Sequence, residues 1–548
     1  MASRQTLYHA FCVASSLREV AKGSASIGCE SLRTWMATST LTRPVLARSR
    51  WFYDPEWEKA RELSESVRAA TRSRGKPTGR KGTKGATRMY STDAKKNVPP
   101  LDTAKTEKVV LQSSEVPSSR ISRLFHYGSL AAGVGFSAAT GGLSQAVQGR
   151  SPDLKSLLLS DANIDRITQK FSKMRGAALK IGQMMSFQDE RVLPKELYII
   201  LSRVQNGAHY MPQRQLERIM SKELGSSWKQ KFAKFEPIPI AAASIGQVHE
   251  ATLPSGEEVV LKVQYPGVKD SIDSDLNNVL MFLTASRLLP KGLFLDKTVA
   301  NARTELKWEC DYTREASALQ KFGGLLKDDP VLVTPKVFQD LTTENIITMT
   351  KMHGTEIMRL PGDTSQETKN FISETIMRLC LREIAEFEFM QTDPNWANFL
   401  YNKDTQTLEL LDFGASRDFP HDFIRAYRRL LTAGTLRDRV KVAQISEELG
   451  YLTGLESRAM VDAHVDSVVA LAEPFMGPTD QLFDFSQQTV TDRIRGNINL
   501  MLRERLCPPP EETYSLHRKF SGVFLLCARM QAKVPMAKLF HEHFALYD

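Results

Sequence analysis

The spacing of hydrophobic positions changes several times along the chain, and each change predicts an element. Between residues 167 and 187 the apolar residues Ile167, Phe171, Met174, Ala178, Ile181 and Met185 recur every three or four positions, as on one face of an amphipathic helix. Residues 247–253 and the β-branched run Val259-Val260-Leu261-Lys262-Val263 read as two strands, joined through the turn residues Pro254-Ser255-Gly256 into a hairpin. A helix is expected from about residue 296 to 323 and a buried strand over 345–350. A short apolar strand is expected at 408–411, and a helical pattern resumes near His421. Residues 124–149 contain no Asp, Glu, Lys or Arg. About 20 helical positions at ~1.5 Å each cross a bilayer core, so a single membrane span is expected there. Gly128 with Ala132, Ser129 with Gly133 and Ala131 with Gly135 form small-xxx-small pairs that favour helix contact in lipid. A glycine-rich linker is the competing reading.

Composition is ordinary for a globular chain of 548 residues, with 42% hydrophobic and 25% charged residues, and the length suits two domains plus extensions. The net charge of +10 first suggests a nucleic-acid partner, but its placement removes that reading. Residues 1–90 hold seventeen Lys and Arg against seven Asp and Glu, which accounts for the whole excess and leaves the rest neutral overall. The first 50 residues are rich in Ser, Thr, Ala and Arg, the composition of a mitochondrial transit segment. The basic stretch ending Arg88-Met89-Tyr90 resembles a processing site before Ser91. An acidic patch from Asp54 to Glu65 interrupts the pattern, so cleavage at an earlier point, or a disordered basic tail, stays open. Six scattered cysteines form no CxxC pair and have no His at ligand spacing, which argues against a disulfide framework and a zinc site.

Three elements of nucleotide phosphotransfer occur in order. Lys262, on its strand, can neutralise α- and β-phosphates as the third-strand lysine of a protein kinase does. Asp393 and Asn398 stand five apart in Gln391-Thr392-Asp393-Pro394-Asn395-Trp396-Ala397-Asn398, the spacing of a kinase catalytic loop. Such an Asp accepts a hydroxyl proton, and the Asn oxygen is a hard ligand suited to Mg²⁺. Gln-Thr replaces the His-Arg that ordinarily precedes the Asp. The strand at 408–411 delivers Asp412-Phe413-Gly414, whose carboxylate would bridge metal and phosphates. Each element alone has a bland explanation: a solvated strand lysine, a proline turn, a chance tripeptide. All three together do not. The loop before Lys262 reads Ala241-Ala242-Ala243-Ser244 in place of glycines, so it is expected to be stiffer. Within the helix expected at 296–323, Asp311 and Glu315 share a face and Glu309 points elsewhere. Glu315 is the expected ion-pair partner of Lys262, and a surface position explains Glu309 and Asp311 equally well.

These residues, together with Lys180-Ile181-Gly182-Gln183 and Glu309-Cys310-Asp311, resemble the KxGQ and ExD motifs of the UbiB/ADCK family of atypical kinases, in particular its fungal mitochondrial branch. The resemblance covers roughly residues 116–548. It implies an α+β, protein-kinase-like two-lobed fold with an N-terminal helical extension and a single membrane span. The expected divisions are a transit segment (1–90), a linker (91–123), a transmembrane or membrane-proximal helix (124–149), a helical KxGQ extension (150–235), a small lobe (236–350) and a helical large lobe (351–548). Asp393 is then the catalytic residue, Asn398 and Asp412 hold metal, and Lys180, Gly182, Gln183, Glu309 and Asp311 are family-motif positions. Ala241, Ala242, Ala243, Ser244, Lys262, Glu315, Met349, Thr350, Lys351 and Met352 bind nucleotide, the last four edging the adenine. The implied cofactors are ATP or ADP with Mg²⁺. The implied role is support of coenzyme Q (ubiquinone) biosynthesis at the matrix face of the mitochondrial inner membrane, beside lipids and other biosynthetic proteins, with a homodimer as one assembly. No Ala-Pro-Glu follows Asp412-Phe413-Gly414, which disfavours an extended peptide substrate and a conventional protein kinase. A catalytically silent nucleotide-binding scaffold is the alternative. The resemblance identifies no phosphoacceptor.

Overall fold

The computed structural model describes residues 112–113, 129, 163–166, 168, 209–285 and 295–545, all within the larger of the chain's two compact units, residues 97–548. The expectations for the transit segment, for residues 124–149 and for Lys180, Gly182 and Gln183 fall outside the described residues. Among the described residues no helix is long and apolar enough to cross a membrane.

Helix α1 (Gln213–Leu224) leads into a five-stranded antiparallel sheet built from β1 (Lys234–Phe235), β2 (Ala241–Ala242), β3 (Gly246–Thr252), β4 (Glu258–Gln264) and β6 (Ile346–Thr350). The order is β1-β3-β4-β6, with β2 also on β3. The expected hairpin is present: Val248 stands opposite Lys262, and Gly256 turns the chain with φ +90°, a conformation open mainly to glycine. The strand expected at 345–350 is β6, whose first four residues are all buried.

Helices α2 (Val268–Ala285), α3 (Leu295–Glu309) and α4 (Tyr312–Leu325) intervene before β6. Here the structure corrects the expectation of one helix over 296–323. The chain breaks at Cys310-Asp311 because Asp311 leaves helical geometry and caps α4, accepting from the Thr313 and Arg314 amides. Strand residue Gln264 fixes the break by donating to the Cys310 carbonyl at 3.0 Å.

The second half is mostly helical. A four-stranded sheet joins β5 (Leu332–Val333), β7 (Thr355–Glu356), β9 (Phe399–Asn402) and β10 (Thr407–Leu410) in the order β5-β10-β9-β7. A separate pair joins β8 (Phe389–Gln391) to β11 (Ser416–Asp418). The helices are α5 (Gln366–Ala385), α6 (His421–Thr435), α7 (Arg439–Glu448), α8 (Arg458–Ala472), α9 (Val490–Glu504), α10 (Glu511–Arg529) and α11 (Met536–His543). Helix α5 packs on α10 and α11, around a cluster of buried rings that includes Phe475, Phe485, Phe520, Phe524 and Phe540.

Candidate active site

Lys262 lies near the middle of β4, paired with Val248 on one side and Ile347 on the other. Its ammonium meets both carboxylate oxygens of Glu315, at 2.9 and 3.0 Å, and Asp412 Oδ2 at 3.3 Å. Glu315 belongs to the first turn of α4 and is fully buried, whereas the Asp412 side chain keeps 34% exposure. Burial pulls the Lys262 pKa down, but Asp412 and Glu315 outweigh it and hold the ammonium well above its ordinary value. Burial, only partly opposed by Lys262, pushes the Glu315 carboxyl up to about 7. The Tyr312 ring lies 5.2 Å from the ammonium. Gly246 is required beneath it, since a Cβ there would stand 2.6 Å from the Val263 carbonyl and 2.7 Å from the Tyr312 hydroxyl.

Helix α4 sets three parts of the site at once. Glu315 takes the lysine, and Phe322 packs on buried Phe413 with ring centroids 4.9 Å apart. Arg314 donates to the Gly414 carbonyl at 3.0 Å and to the Ser416 carbonyl. Asp412 is oriented by the Gly414 amide, which donates to its Oδ1 at 2.9 Å. Residues 416–418 pair straight back onto β8 and α6 begins at Pro420-His421, so no extended segment separates Gly414 from the next helix.

Beyond β8, Asp393 accepts from the Asn395 amide at 3.3 Å, and Asn395 caps a single 3₁₀ turn, Trp396–Asn398. The hairpin of β9 and β10 then brings Asn398 beside the residue before Asp412, the Leu411 amide donating to the Asn398 carbonyl at 3.0 Å. The Asn398 side chain has no hydrogen-bond partner among the described residues, and its Nδ2 is buried. An uncommitted amide next to a partly exposed carboxylate fits a cation that takes one or two protein oxygens and completes its shell with water and phosphate, as Mg²⁺ does. Among the described residues no group of three or more His, Cys, Asp or Glu offers a richer cage.

The alanine segment forms a tight hairpin. Ala241 and Ala242 pair with Val248 and Gln247, and the Ala243 amide donates to the Gly246 carbonyl at 2.8 Å. Its tip is fastened down, with Ile245 buried and its carbonyl taking the Tyr265 amide at 2.8 Å. Four residues were expected to edge the adenine. Met349 is buried in β6, and the Thr350 and Lys351 amides are already committed to the Lys336 and Glu258 carbonyls. Among the described residues only Met352 in that stretch keeps both main-chain groups without a partner. A surface position does not describe Glu309, which is 7% exposed at the end of α3, and Asp311 is the α4 cap.

Sequence reasoning missed the helix behind the loop. From α10, Lys519 donates to the Gln391 carbonyl at 2.8 Å and to its side-chain Oε1 at 3.2 Å, with Glu383 Oε2 at 3.3 Å. Neighbouring Arg518 grips both Glu305 oxygens, at 2.9 and 3.0 Å, and reaches the Thr392 carbonyl at 3.5 Å. A signal existed: Leu516, Phe520, Val523 and Cys527 define the apolar face of α10, and Lys519 stands on it as a lone charge.

Comparison with known proteins gives the following matches. Residues 203–446 match the family described as ABC1 atypical kinase-like domain, and residues 3–72 match a second family, YBR230W-A. The chain is 73% identical over 439 residues to "Atypical kinase COQ8, mitochondrial" of Saccharomyces cerevisiae, covering 80% of this chain and 87% of that protein. It is 50% identical to the protein of the same name from Schizosaccharomyces pombe, covering 81% and 73% of the two chains. It is 46% identical to "Atypical kinase COQ8B, mitochondrial" of Danio rerio, covering 79% and 70%.

Proposed function

From the premise that the chain belongs to the ABC1 (UbiB/ADCK) family of atypical kinases, we propose that it binds ATP or ADP with Mg²⁺ and supports coenzyme Q biosynthesis in the mitochondrion. The observation that carries this reading is the Lys262–Glu315–Asp412 cluster with an uncommitted Asn398 beside it. Glu315 steadies Lys262 so that its charge faces the α- and β-phosphate oxygens. A polyphosphate offers Lys262 a second anion and frees Asp412, which with Asn398 would hold Mg²⁺. That ion supplies the neutralisation of phosphate charge that phosphoryl transfer needs. Asp393 takes the proton of the attacking hydroxyl, and the fastened alanine hairpin covers the phosphates without glycine. Met352 supplies the main-chain edge for the adenine. The short path from Gly414 to α6 favours a small or lipid acceptor, or water, over a peptide.

We assign membrane contact to residues 124–149 on composition, with the kinase unit on the matrix face of the inner membrane beside other coenzyme Q biosynthetic proteins. Alkaline carbonate extraction checks this: the full chain stays with the membrane, and complete release removes the assignment.

Calorimetric titration of the full chain with Mg-ADP tests the site. The parent binds, and Asp412→Asn binds about 100-fold more weakly or not at all, since an amide replaces the charged ligand. Unchanged affinity in the folded variant removes the metal assignment. Tight binding with no nucleotide turnover selects the silent-scaffold reading.

A further inference from the structure

Two residues that ordinarily brace a kinase catalytic loop, the His-Arg before the Asp, are Gln391-Thr392 here. Neither has a side-chain charge with which to do that work. The structure supplies another source of support. Thr392 ties forward, its hydroxyl donating to the Ala415 carbonyl at 2.8 Å, just past the metal-binding strand. Gln391 is held from behind by a buried charge pair.

That pair is Lys519 of α10 and Glu383 of α5, each 1% exposed. Glu383 Oε1 accepts from the Gln391 amide at 3.1 Å, and Lys519 donates to the Gln391 carbonyl at 2.8 Å. Both main-chain groups of one residue, two positions before Asp393, are therefore gripped by opposite charges. The ammonium also reaches the Gln391 side-chain oxygen and lies 5.7 Å from the Phe399 ring, the residue after Asn398. The same face of α10 continues along the loop. Gly522 approaches Pro394 so closely that a Cβ would stand 2.2 Å from the Pro394 Cβ, and its carbonyl takes the Trp396 indole N–H at 3.0 Å. Residues 519 and 522 of α10 thus contact positions 391, 394 and 396 in sequence. The matched ABC1 region ends at residue 446, before this helix begins.

We propose that Lys519, with Glu383, is a positioning residue for the catalytic loop: the pair fixes the Gln391 main chain and thereby the placement of Asp393 and Asn398. A buried ion pair is seldom a net gain in stability over an apolar pair of similar size, but removing one member is severe. Its usefulness here is geometric, because a main chain gripped at both its donor and its acceptor cannot rotate. The inference rests on the nucleotide-turnover reading given above for its kinetic arm only.

The test uses the full chain carrying Glu383→Gln together with Lys519→Met. The glutamine keeps an acceptor for the Gln391 amide, both charges leave together, and no lone buried charge remains. Turnover falls about tenfold or more, as small misplacements of catalytic groups do, and Mg-ADP affinity falls by less than turnover, since only Asn398 of the two Mg²⁺-holding residues lies on the loosened loop. Amide hydrogen exchange read by mass spectrometry accelerates about tenfold or more across 391–398 and is unchanged across the hairpin 246–264. A folded double variant with parental turnover and parental exchange at 391–398 overturns the proposal. So does acceleration spread equally over both regions, since the pair then serves the fold alone. If the parent itself shows no turnover, the functional reading fails, and the exchange contrast still decides the clamp.

Discussion

Among the described residues two Lys–Glu pairs are buried, and they differ in what closes them. In the first, Lys262 and Glu315 meet at 2.9 Å with side-chain exposures of 11% and 1%, and the third member is Asp412, one third open to the cleft. In the second, Lys519 and Glu383 meet at 3.3 Å with side-chain exposures of 2% and 1%, and the third member is the Gln391 main chain, inside the protein. Desolvating two charges costs several kcal/mol in either place, about as much as their attraction returns. On the proposed function, the open pair exchanges partners with an arriving phosphate. The closed pair can exchange nothing, so its effect is to hold a backbone still. On the function proposed above, the same two residue types serve chemistry in one setting and a fixture in the other.

The largest expected effect breaks the open pair. Lys262→Met lowers nucleotide turnover by about 10²–10³-fold, the loss typical when one charge-stabilising group is removed from a preorganised site. Its effect on the thermal midpoint below neutral pH is small, because Glu315, already pushed up to about 7, takes a proton and leaves no lone charge. Steady-state turnover beside a thermal melt at pH 6 checks both halves.

The next breaks the closed pair at one end. Lys519→Met strands Glu383 with no solvent near it, and breaking a buried pair in this way costs about 3–5 kcal/mol. Burial, only partly opposed by Lys519, already raises the Glu383 pKa, so acidification recovers part of that loss. Denaturant unfolding of Lys519→Met against the Glu383→Gln/Lys519→Met chain measures it. Equal stabilities would mean the two pairs do not differ as described.

The open pair was legible in the sequence because Lys262 and Asp412 sit in short, ordered motifs, a lysine in a β-branched strand and an Asp-Phe-Gly after an apolar strand, and Glu315 followed as the helical acid expected to meet that lysine. Strands β3, β4, β6 and β10 followed from the period-two and apolar runs. The closed pair was not legible, since Lys519 lies 128 residues from Gln391 and only the packing of α10 on the loop joins them. Local pattern cannot report a contact of that separation. The break at Cys310-Asp311 was missed for a related reason. Helical spacing runs through it, and what stops the helix is a side-chain cap and a hydrogen bond from Gln264 on a distant strand.

A third buried group has no counter-charge among the described residues and responds to pH in the opposite direction from Glu315. His249 on β3 is fully buried, its Nδ1 2.9 Å from the Glu236 carbonyl and its Nε2 2.8 Å from the Gln247 amide nitrogen, an arrangement that suits the neutral ring. Burial, only partly opposed by the Glu236 hydrogen bond, lowers its pKa to about 4 from an ordinary 6.5. A lowered folded-state pKa means that the unfolded chain binds the proton more readily. The resulting stability is present above pH 6.5 and is lost as the pH falls from 6.5 towards 4, by up to about 3 kcal/mol. Glu315, raised to about 7, contributes stability at low pH that is lost as the pH rises from about 4.5 through 7. Urea unfolding from pH 7 to pH 4 should therefore show a steeper acid loss in the parent than in His249→Gln, whose side chain carries no titrating group.

The smallest effect concerns Asp311, which stands four residues before Glu315 and begins the helix that presents it to Lys262. Its Oδ1 accepts from the Thr313 amide at 3.1 Å, from the Thr313 hydroxyl at 2.5 Å and from the Arg314 amide at 3.2 Å. Burial tends to raise its pKa, but these donors outweigh that and hold the carboxyl below its usual value. If capping is its whole contribution, Asp311→Ala costs about 1 kcal/mol, and Asp311→Ser, which keeps an oxygen for the same amides, costs a few tenths. Turnover then falls only as far as loosening of the first turn of α4 displaces Glu315, less than the loss from breaking either buried pair. Thermal melts and turnover of the two variants settle the matter together. A serine variant with parental stability but alanine-like loss of turnover would show that the Asp311 charge, and not its cap, acts on the open pair.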